Sequence, residues 1–267
     1  MALEIEIDLR KSLNENASAY FEKAKKAKKK LEGIERTIPE LGKRIEKQRE
    51  AEGKAKITQI RKRRQREWYE KFHWFFTSDG MLVIAGKDAK GNDALVKKHM
   101  EKSDLYFHAE IFGAPHTILK SGNNSAPQQS LEEAARFAAT FSSAWKNRLA
   151  SVDVYSVLPE QVSKSAPTGE SIGAGAFMIY GKRQWLRKTP LDLSIGIDDK
   201  TGRIVSGPKT AIEKITRKYV SVVQGGIPKG EFAKVVKKAI EEKAKGDVVQ
   251  IDDVLSMLPS GGFELKK

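Results

Sequence analysis

The sequence predicts an α+β protein in which a mixed α/β domain, residues 73–200, lies between a helical arm, residues 1–72, and a small αβ extension, residues 201–267. Three observations support this fold class. A heptad repeat of apolar residues runs through the arm, strand-like and helix-like patterns alternate in the centre, and a shorter αβ series follows residue 200. Hydrophobic residues make up 39% of the chain, which is enough for a sizeable core.

The arm is predicted to be an antiparallel coiled-coil hairpin of two helices. From Leu13 to Ile45, apolar or small residues recur in alternating steps of four and three, the spacing of a heptad seam. Pro39 and Gly53 are candidate interruptions, so we expect the turn between residues 37 and 56. Residues 1–70 hold 20 Lys and Arg against 13 Asp and Glu, which makes the arm basic.

The central domain is predicted to alternate strands and helices. The predicted strands are 81–86, 104–111, 115–120, 152–159, 175–182 and 191–198, with helices at 92–101 and 130–150. Gly113 and Ala114 are expected to join two of these strands as a hairpin, and Ser130 is the predicted N-cap of the second helix, with Glu133 completing a capping box. The extension is predicted to contain two strands and three helices.

The amino-acid composition limits the classes of function that are possible for this chain. The formal net charge of +14 indicates a polyanionic partner, either nucleic acid or an anionic membrane. The absence of cysteine excludes disulfides, thiolate catalysis and zinc–thiolate sites, and is typical of a cytoplasmic protein. No run approaches the roughly 18 apolar residues of a membrane span, and no metal-binding histidine pair or nucleophile motif occurs. We therefore expect no metal, no cofactor and no catalytic residue.

Gly86 and Lys87 end a predicted strand and precede a helix, an outline similar to a phosphate-binding loop. A P-loop needs several glycines before its lysine and Ser or Thr after it, whereas here one glycine precedes Lys87 and Asp88 follows it. The dinucleotide-binding spacing is also absent. We expect Gly86 to give the chain room to turn, Asp88 or Asn92 to cap the helix, and Lys87 to face a phosphate.

A second polar segment, residues 161–185, carries Lys164, a stretch of small residues at 173–175, and Lys182 and Arg183 at a strand end. Small residues permit close approach of another backbone, and the cations then meet phosphate. The alternative is a flexible loop followed by a solvated strand end. Both alternatives are compatible with the residues alone.

Cations with nearby aromatic residues suit RNA, where phosphates and unstacked bases are both available. The arm contributes two basic runs, and His108 is a candidate base-stacking or phosphate contact, although such a residue is more often a half-buried structural histidine. The candidate RNA contacts are Lys25, Lys26, Arg61, Lys62, Arg63, Arg64, Arg66, Lys87, His108, Lys120, Lys164, Lys182 and Arg183.

Two segments resemble the NFACT-R domain of the NFACT family. The first contains "SDGMLVIAGKDAKGNDALV" and "DLYFHAEIFGAPHTILK", the second is "QVSKSAPTGESIGAGAFMIYGKRQW", and together they cover roughly residues 68–198. The arm resembles the family's coiled-coil middle region, and the tail resembles an archaeal-type extension. The motif residues that the resemblance implies are Asp79, Gly80, Gly86, Asp88, Asn92, Asp104, Gly113, Ala114, Pro167, Gly169 and Gly181.

The resemblance implies a factor of ribosome-associated quality control. Such proteins bind a large ribosomal subunit obstructed by peptidyl-tRNA, recruit charged tRNA and support template-free tailing of the stalled chain. The implied partners are ribosomal RNA and tRNA or peptidyl-tRNA, with no membrane. Full family members begin with an NFACT-N domain and a helix–hairpin–helix module that this sequence does not contain, so tailing by this chain alone stays an open question.

Two alternatives from other classes also stay open. The first is an RNA-processing enzyme with a site near His108 and Glu110, which would lose turnover when His108 is replaced by Ala. The second is a coiled-coil interaction protein that self-associates through the seam from Leu13 to Ile45, which a strictly monomeric chain would exclude.

Overall fold

The computed structural model describes residues 5–63, 67–165, 173–244 and 249–266. The chain divides into two compact units, residues 1–66 and 67–267. Within the described residues, no helix has both the length and the apolar character that crossing a membrane requires.

The first unit is built on one long helix, α1 (Leu13–Arg63). A capping box sets its start: the Glu15 amide donates to Ser12 Oγ at 3.3 Å, and the Ser12 amide donates to Glu15 Oε2 at 2.7 Å. The preceding segment folds back along the helix, where the Tyr20 hydroxyl donates to the Glu6 carbonyl at 2.7 Å.

The arm is helical as expected, but continuous helix replaces the turn expected between residues 37 and 56, so the two-helix hairpin is corrected to a single helix. Pro39 removes one backbone hydrogen bond, and a glycine costs about 1 kcal/mol relative to alanine. Around these residues the sequence is rich in Glu, Lys and Arg, which favour helix, and it lacks the consecutive turn-forming residues that a reversal needs. The seam residues Leu31, Ile34 and Ile38 are consequently exposed.

The second unit begins with a six-stranded antiparallel sheet. In chain order its elements are a 3₁₀ turn (Trp68–Lys71), β1 (His73–Phe76), β2 (Leu82–Ala85), α2 (Ala89–His99), β3 (Leu105–Ala109), β4 (Thr117–Leu119), α3 (Gln128–Thr140), α4 (Ser143–Lys146), β5 (Ser151–Val157), a 3₁₀ turn (Pro159–Gln161), β6 (Val162–Ser163), β7 (Met178–Ile179) and β8 (Gln184–Pro190). The sheet order is β1-β2-β4-β3-β5-β8, and β6 and β7 form a separate two-stranded ribbon.

Both faces of this sheet are covered, and the alternation of side chains decides which helix covers each. Phe107 of β3 packs with Phe137 of α3 on one face. Ile84 and Ile118 pack with Leu95 of α2 on the other. The predicted hairpin is confirmed, since β3 and β4 pair antiparallel.

A second, four-stranded antiparallel sheet has the order β10-β9-β11-β12. Its elements are β9 (Leu193–Ile197), β10 (Ile204–Gly207), α5 (Lys209–Ile215), β11 (Tyr219–Pro228), α6 (Lys229–Ala244), α7 (Ile251–Met257) and β12 (Gly262–Leu265). Phe263 stacks on Phe232 of α6 at 5.1 Å and meets Trp145 of α4 at 5.8 Å, which joins the core of this sheet to α4. The boundary expected at residue 200 falls between the paired strands β9 and β10, so β9 lies with the extension.

The helix predicted at 130–150 is shorter and divided. α3 begins at Gln128 after the N-cap Pro127, so Ser130 is not the cap. The Ser130 hydroxyl instead donates to Asp79 Oδ2 at 2.6 Å, and Glu133 accepts from the Thr210 hydroxyl at 2.6 Å. The side chains of Ser130 and Glu133, which were predicted to form a capping box, therefore hydrogen-bond to residues distant in the chain.

The strand predicted at 175–182 is reduced to two residues, and the sequence did not predict β1, β8 or β12. β8 is an edge strand of the sheet, and its exposed residues include Arg187 and Lys188. Strands are predicted from the alternation of apolar and polar residues, and this alternation is weak in a strand that has no fully buried face.

Candidate nucleic-acid interface

The loop between β2 and α2 is built around Gly86. A Cβ at Gly86 would lie 2.0 Å from Asn92 Oδ1, so a side chain there would displace Asn92. Asp88 caps α2 by accepting from the Gly91 amide at 2.6 Å, while Asn92 Oδ1 accepts from the His116 amide at 3.1 Å. The helix cap is therefore Asp88, and Asn92 ties the loop to the segment before β4.

His116 joins this loop region to the second polar segment. Its Nδ1 lies 2.5 Å from the Tyr106 hydroxyl and its Nε2 lies 2.8 Å from the Gly175 carbonyl oxygen. Because a carbonyl only accepts, Nε2 carries the proton and Nδ1 accepts from Tyr106. Burial lowers the pKa of His116 to about 4, so the ring is neutral at pH 7, as both hydrogen bonds require.

Lys164 and Asp93 make a second connection between the same two regions. The Lys164 ammonium donates to Asp93 Oδ1 at 3.1 Å and to the carbonyls of Gly173 and Ala176, each at 2.9 Å. The hydrogen bond from Lys164 holds the pKa of the Asp93 carboxyl below its usual value. An ammonium has three donors, so an RNA phosphate at Lys164 would have to replace one of these bonds.

Gly175 lets the backbone of the second polar segment approach α2 closely, as the stretch of small residues at 173–175 predicted. Its φ is +75°, and a Cβ there would lie 2.7 Å from the Cα of Ala89 in the first turn of α2. The backbone of the second segment thus rests on the start of α2. Two sequence segments far apart in the chain form one surface.

His108 belongs to a row of aromatic side chains that crosses β3, β5 and β8. Its ring centroid lies 5.9 Å from that of Tyr155, and Tyr155 lies 5.3 Å from Trp185. Burial lowers the pKa of His108 to about 4, partly offset by backbone hydrogen bonds at Ala109 and Ala114. A neutral ring supplies no charge for a phosphate, which leaves stacking as the contact that His108 can make.

Two arginines lie on this aromatic row. The Arg183 guanidinium is 4.4 Å from the Tyr155 centroid and 3.3 Å from Glu110 Oε2. The Arg187 guanidinium is 3.9 Å from the Trp185 centroid, within the range of a cation–π contact. Trp185 and Arg187 were not predicted as site residues, because β8, on which both lie, was not predicted.

Lys87 is exposed, and its positive charge acts on Lys229, a residue of the extension. The pKa of Lys229 is lowered by burial and then by the positive charge of Lys87, and its ammonium donates to the Leu258 carbonyl at 2.8 Å. Burial lowers the pKa of His73 to about 3, with both lysines contributing. An anion would relieve the repulsion between the two ammonium groups. Lys229 was not predicted because it lies in the extension and not in either motif.

The other two predicted lysines of the domain differ in their surroundings. Lys182 is exposed at a cleft of about 300 Å³ that Asn124, Ser125 and Gln184 also line. Lys120 instead donates to Asp104 Oδ2 at 2.8 Å and to the His99 carbonyl at 3.1 Å. Its charge is matched by a buried carboxylate, which leaves Lys182 better placed than Lys120 to meet a phosphate.

The remaining predicted residues lie at turns or on the arm. Asp79 and Gly80 form the β1–β2 turn, Gly113 and Ala114 lie between β3 and β4, and Gly181 lies just before β8. Lys25 and Lys26 are exposed on α1. Arg61, Lys62 and Arg63 end α1, with side chains outside the described part of the structure, and Arg64, Arg66, Pro167 and Gly169 lie outside the described residues altogether.

The chain is similar to known proteins of one family. Residues 71–181 match the family model described as the NFACT protein RNA binding domain. The archaeal Rqc2 homolog aRqcH of Methanocaldococcus jannaschii is 41% identical over 207 residues, 77% of this chain and 30% of that protein. The human ribosome quality control complex subunit NEMF is 36% identical over 176 residues, 64% of this chain and 16% of that protein.

The solved structure of the C-terminal part of the fibronectin/fibrinogen-binding protein from Streptococcus suis aligns at 27% identity with a TM-score of 0.39, covering 48% of this chain and 49% of that chain. The chain spans less than a third of the length of the curated relatives described above.

Proposed function

Because the chain belongs to the NFACT family through its RNA binding domain, we propose that it binds RNA of the large ribosomal subunit and acts in ribosome-associated quality control. The human relative is named as a subunit of the ribosome quality control complex, and the archaeal relative is named as a homolog of Rqc2. The finer proposal is that the subunit is obstructed by peptidyl-tRNA, and that the chain supports tRNA-dependent C-terminal tailing of the stalled peptide.

The observation that carries the proposal is the joining of the two family motifs into one surface. His116 and the pair of Asp93 and Lys164 hold residues 173–176 against α2. Lys87 and Lys182 are exposed on the two motif segments, and the exposed Arg187 lies over the Trp185 ring of the aromatic row. Exposed cations beside aromatic rings match the phosphates and bases of RNA.

Charge supports a ribosomal partner over a small ligand. The net charge of +14 is spread over both units, and the exposed Lys25 and Lys26 add to it on α1. Each phosphate that a lysine or arginine neutralises releases counterions, so affinity falls steeply as salt rises. A surface of this kind suits an extended polyanion whose backbone contacts several cations at once.

The test is co-sedimentation with purified large ribosomal subunits over a salt series. The variant Lys87→Glu/Lys182→Glu reverses the two exposed motif lysines. The matched control, Lys234→Glu/Lys238→Glu, makes the same change of charge on the exposed face of α6. We expect salt-sensitive binding by the wild type, near-complete loss in the first variant and a modest loss in the control.

Equal losses in the two variants would mean that only net charge matters, and would contradict a specific role for the motif surface. Binding that survives both changes but disappears when residues 1–66 are removed would move the RNA contact to the arm. Tailing is tested separately, by asking whether stalled peptides on purified subunits acquire C-terminal extensions when charged tRNA and this chain are added.

A further inference from the structure

Phe112 is the most exposed aromatic side chain among the described residues. It lies in the segment between β3 and β4, and 99% of its surface is open to solvent. A fully exposed phenyl ring forgoes the hydrophobic free energy that burial would recover. Single exposed apolar residues are common, so exposure alone is not evidence of a contact.

The backbone under Phe112 is held in place, and this distinguishes it from a mobile loop tip. The Ser143 hydroxyl of α4 donates to the Phe112 carbonyl at 2.5 Å, and the Ala114 amide donates to the Ile111 carbonyl at 3.3 Å. Ala114, two residues later, is buried. These contacts fix the backbone at Phe112, so the exposed ring is carried on a fixed support.

The charges around this support favour an anionic partner. Lys146 lies three residues after Ser143 on α4, on the same side of that helical turn, and is exposed. Glu110, the acidic residue two positions before Phe112, is paired with Arg183. The helix that supports the Phe112 backbone therefore also carries an exposed lysine, while the nearest acid in the sequence is paired.

We propose that Phe112 stacks on an unpaired base of the bound RNA, with Lys146 contacting the adjacent phosphate. This inference rests on the proposed RNA-binding function and adds the feature that is recognised, an unstacked nucleobase. A base offers a flat π face that one ring can cover, whereas a protein interface needs on the order of 1,000 Å² of complementary surface. One exposed ring, with a lysine on the helix that supports it, fits the first partner better than the second.

The experiment uses a short single-stranded RNA that contains 2-aminopurine, whose fluorescence is quenched when the base stacks. Phe112→Ala removes the ring, Phe112→Leu keeps apolar bulk without a π face, and Phe112→Trp enlarges the π face. Since Phe112 buries almost nothing, all three variants should unfold at the wild-type temperature. We expect quenching by wild type and Trp, and affinity reduced roughly 5- to 150-fold in Ala and Leu, the range of base stacking on an aromatic side chain.

Two outcomes would overturn the inference. Wild-type affinity and quenching in the Ala variant would mean that the ring contacts no base. Leu binding as tightly as Phe would mean that the ring fills an apolar pocket instead. The salt slope separates this failure from failure of the proposed function: Lys87→Gln should lower the slope by about one, while Phe112→Ala leaves it unchanged. An absence of salt-dependent RNA binding by the wild type would refute both.

Discussion

Replacing His116 by Phe should weaken the connection between the two motif segments while keeping an aromatic ring at this position. The substitution removes both hydrogen bonds of the imidazole and leaves the buried Tyr106 hydroxyl and the Gly175 carbonyl without these partners. An unsatisfied buried polar group costs about 1–3 kcal/mol, so two such groups cost about 2–6 kcal/mol of unfolding free energy. That is a large part of the 5–15 kcal/mol typical of a folded domain.

The assay is urea unfolding of the full chain followed by tryptophan fluorescence, run as a double-mutant cycle with Tyr106→Phe. In the double variant the hydroxyl is gone, so only the Gly175 carbonyl lacks a partner. Tyr106→Phe alone leaves His116 Nδ1 without its donor and should itself cost about 1–3 kcal/mol. We therefore expect the double variant to be about 2–6 kcal/mol more stable than the sum of the single effects predicts.

Hydrogen exchange gives the structural readout of the same change. The Gly175 amide donates to Asp93 Oδ1 at 3.2 Å and should lose protection in His116→Phe, while amides of β9 and β11 keep theirs. Additive single effects together with unchanged protection at residue 175 would refute the role assigned to His116.

Three further predictions concern the same fold. Acid should destabilise the chain between about pH 6.5 and pH 4, because burial lowers the pKa of His73 to about 3 and of His108 and His116 to about 4. In this range the unfolded chain binds more protons than the folded chain, so each histidine lowers the free energy of unfolding by up to about 1.4 kcal/mol per pH unit. Urea unfolding midpoints measured at pH 7 and pH 5 check this prediction. Gly86→Ala should cost about 1–3 kcal/mol because its Cβ meets Asn92, whereas Gly226→Ala, with open space around it, should be near neutral in thermal unfolding. The exposed seam of α1 should drive reversible self-association of the chain. Sedimentation equilibrium should detect this association in the wild type and show that Ile34→Lys/Ile38→Lys abolishes it. A wild type that is monomeric at all concentrations would contradict the prediction.

Local pattern was sufficient where one segment carries its own signal. The strand at Leu82–Ala85, the hairpin of β3 and β4, the Asp88 cap and the long helix α6 follow from alternation, helical periodicity and capping preference, all of which act over a few residues. The turn expected in the arm was wrong because it gave too much weight to single breakers. Pro39 and Gly53 both lie inside α1, because the long run of strong helix formers around them favours continuous helix.

The sequence by itself determined the α+β class, the basic charge and the two motifs with their lysines, because composition and short-range pattern are properties of the chain. Only the tertiary structure decided how those motifs act together. Asp93 looked like an ordinary helix residue and His116 like one histidine among four, and neither has a local signal of its role. Their partners, Lys164 and Gly175, lie more than fifty residues away, so packing of the second segment on α2 had to bring the four together.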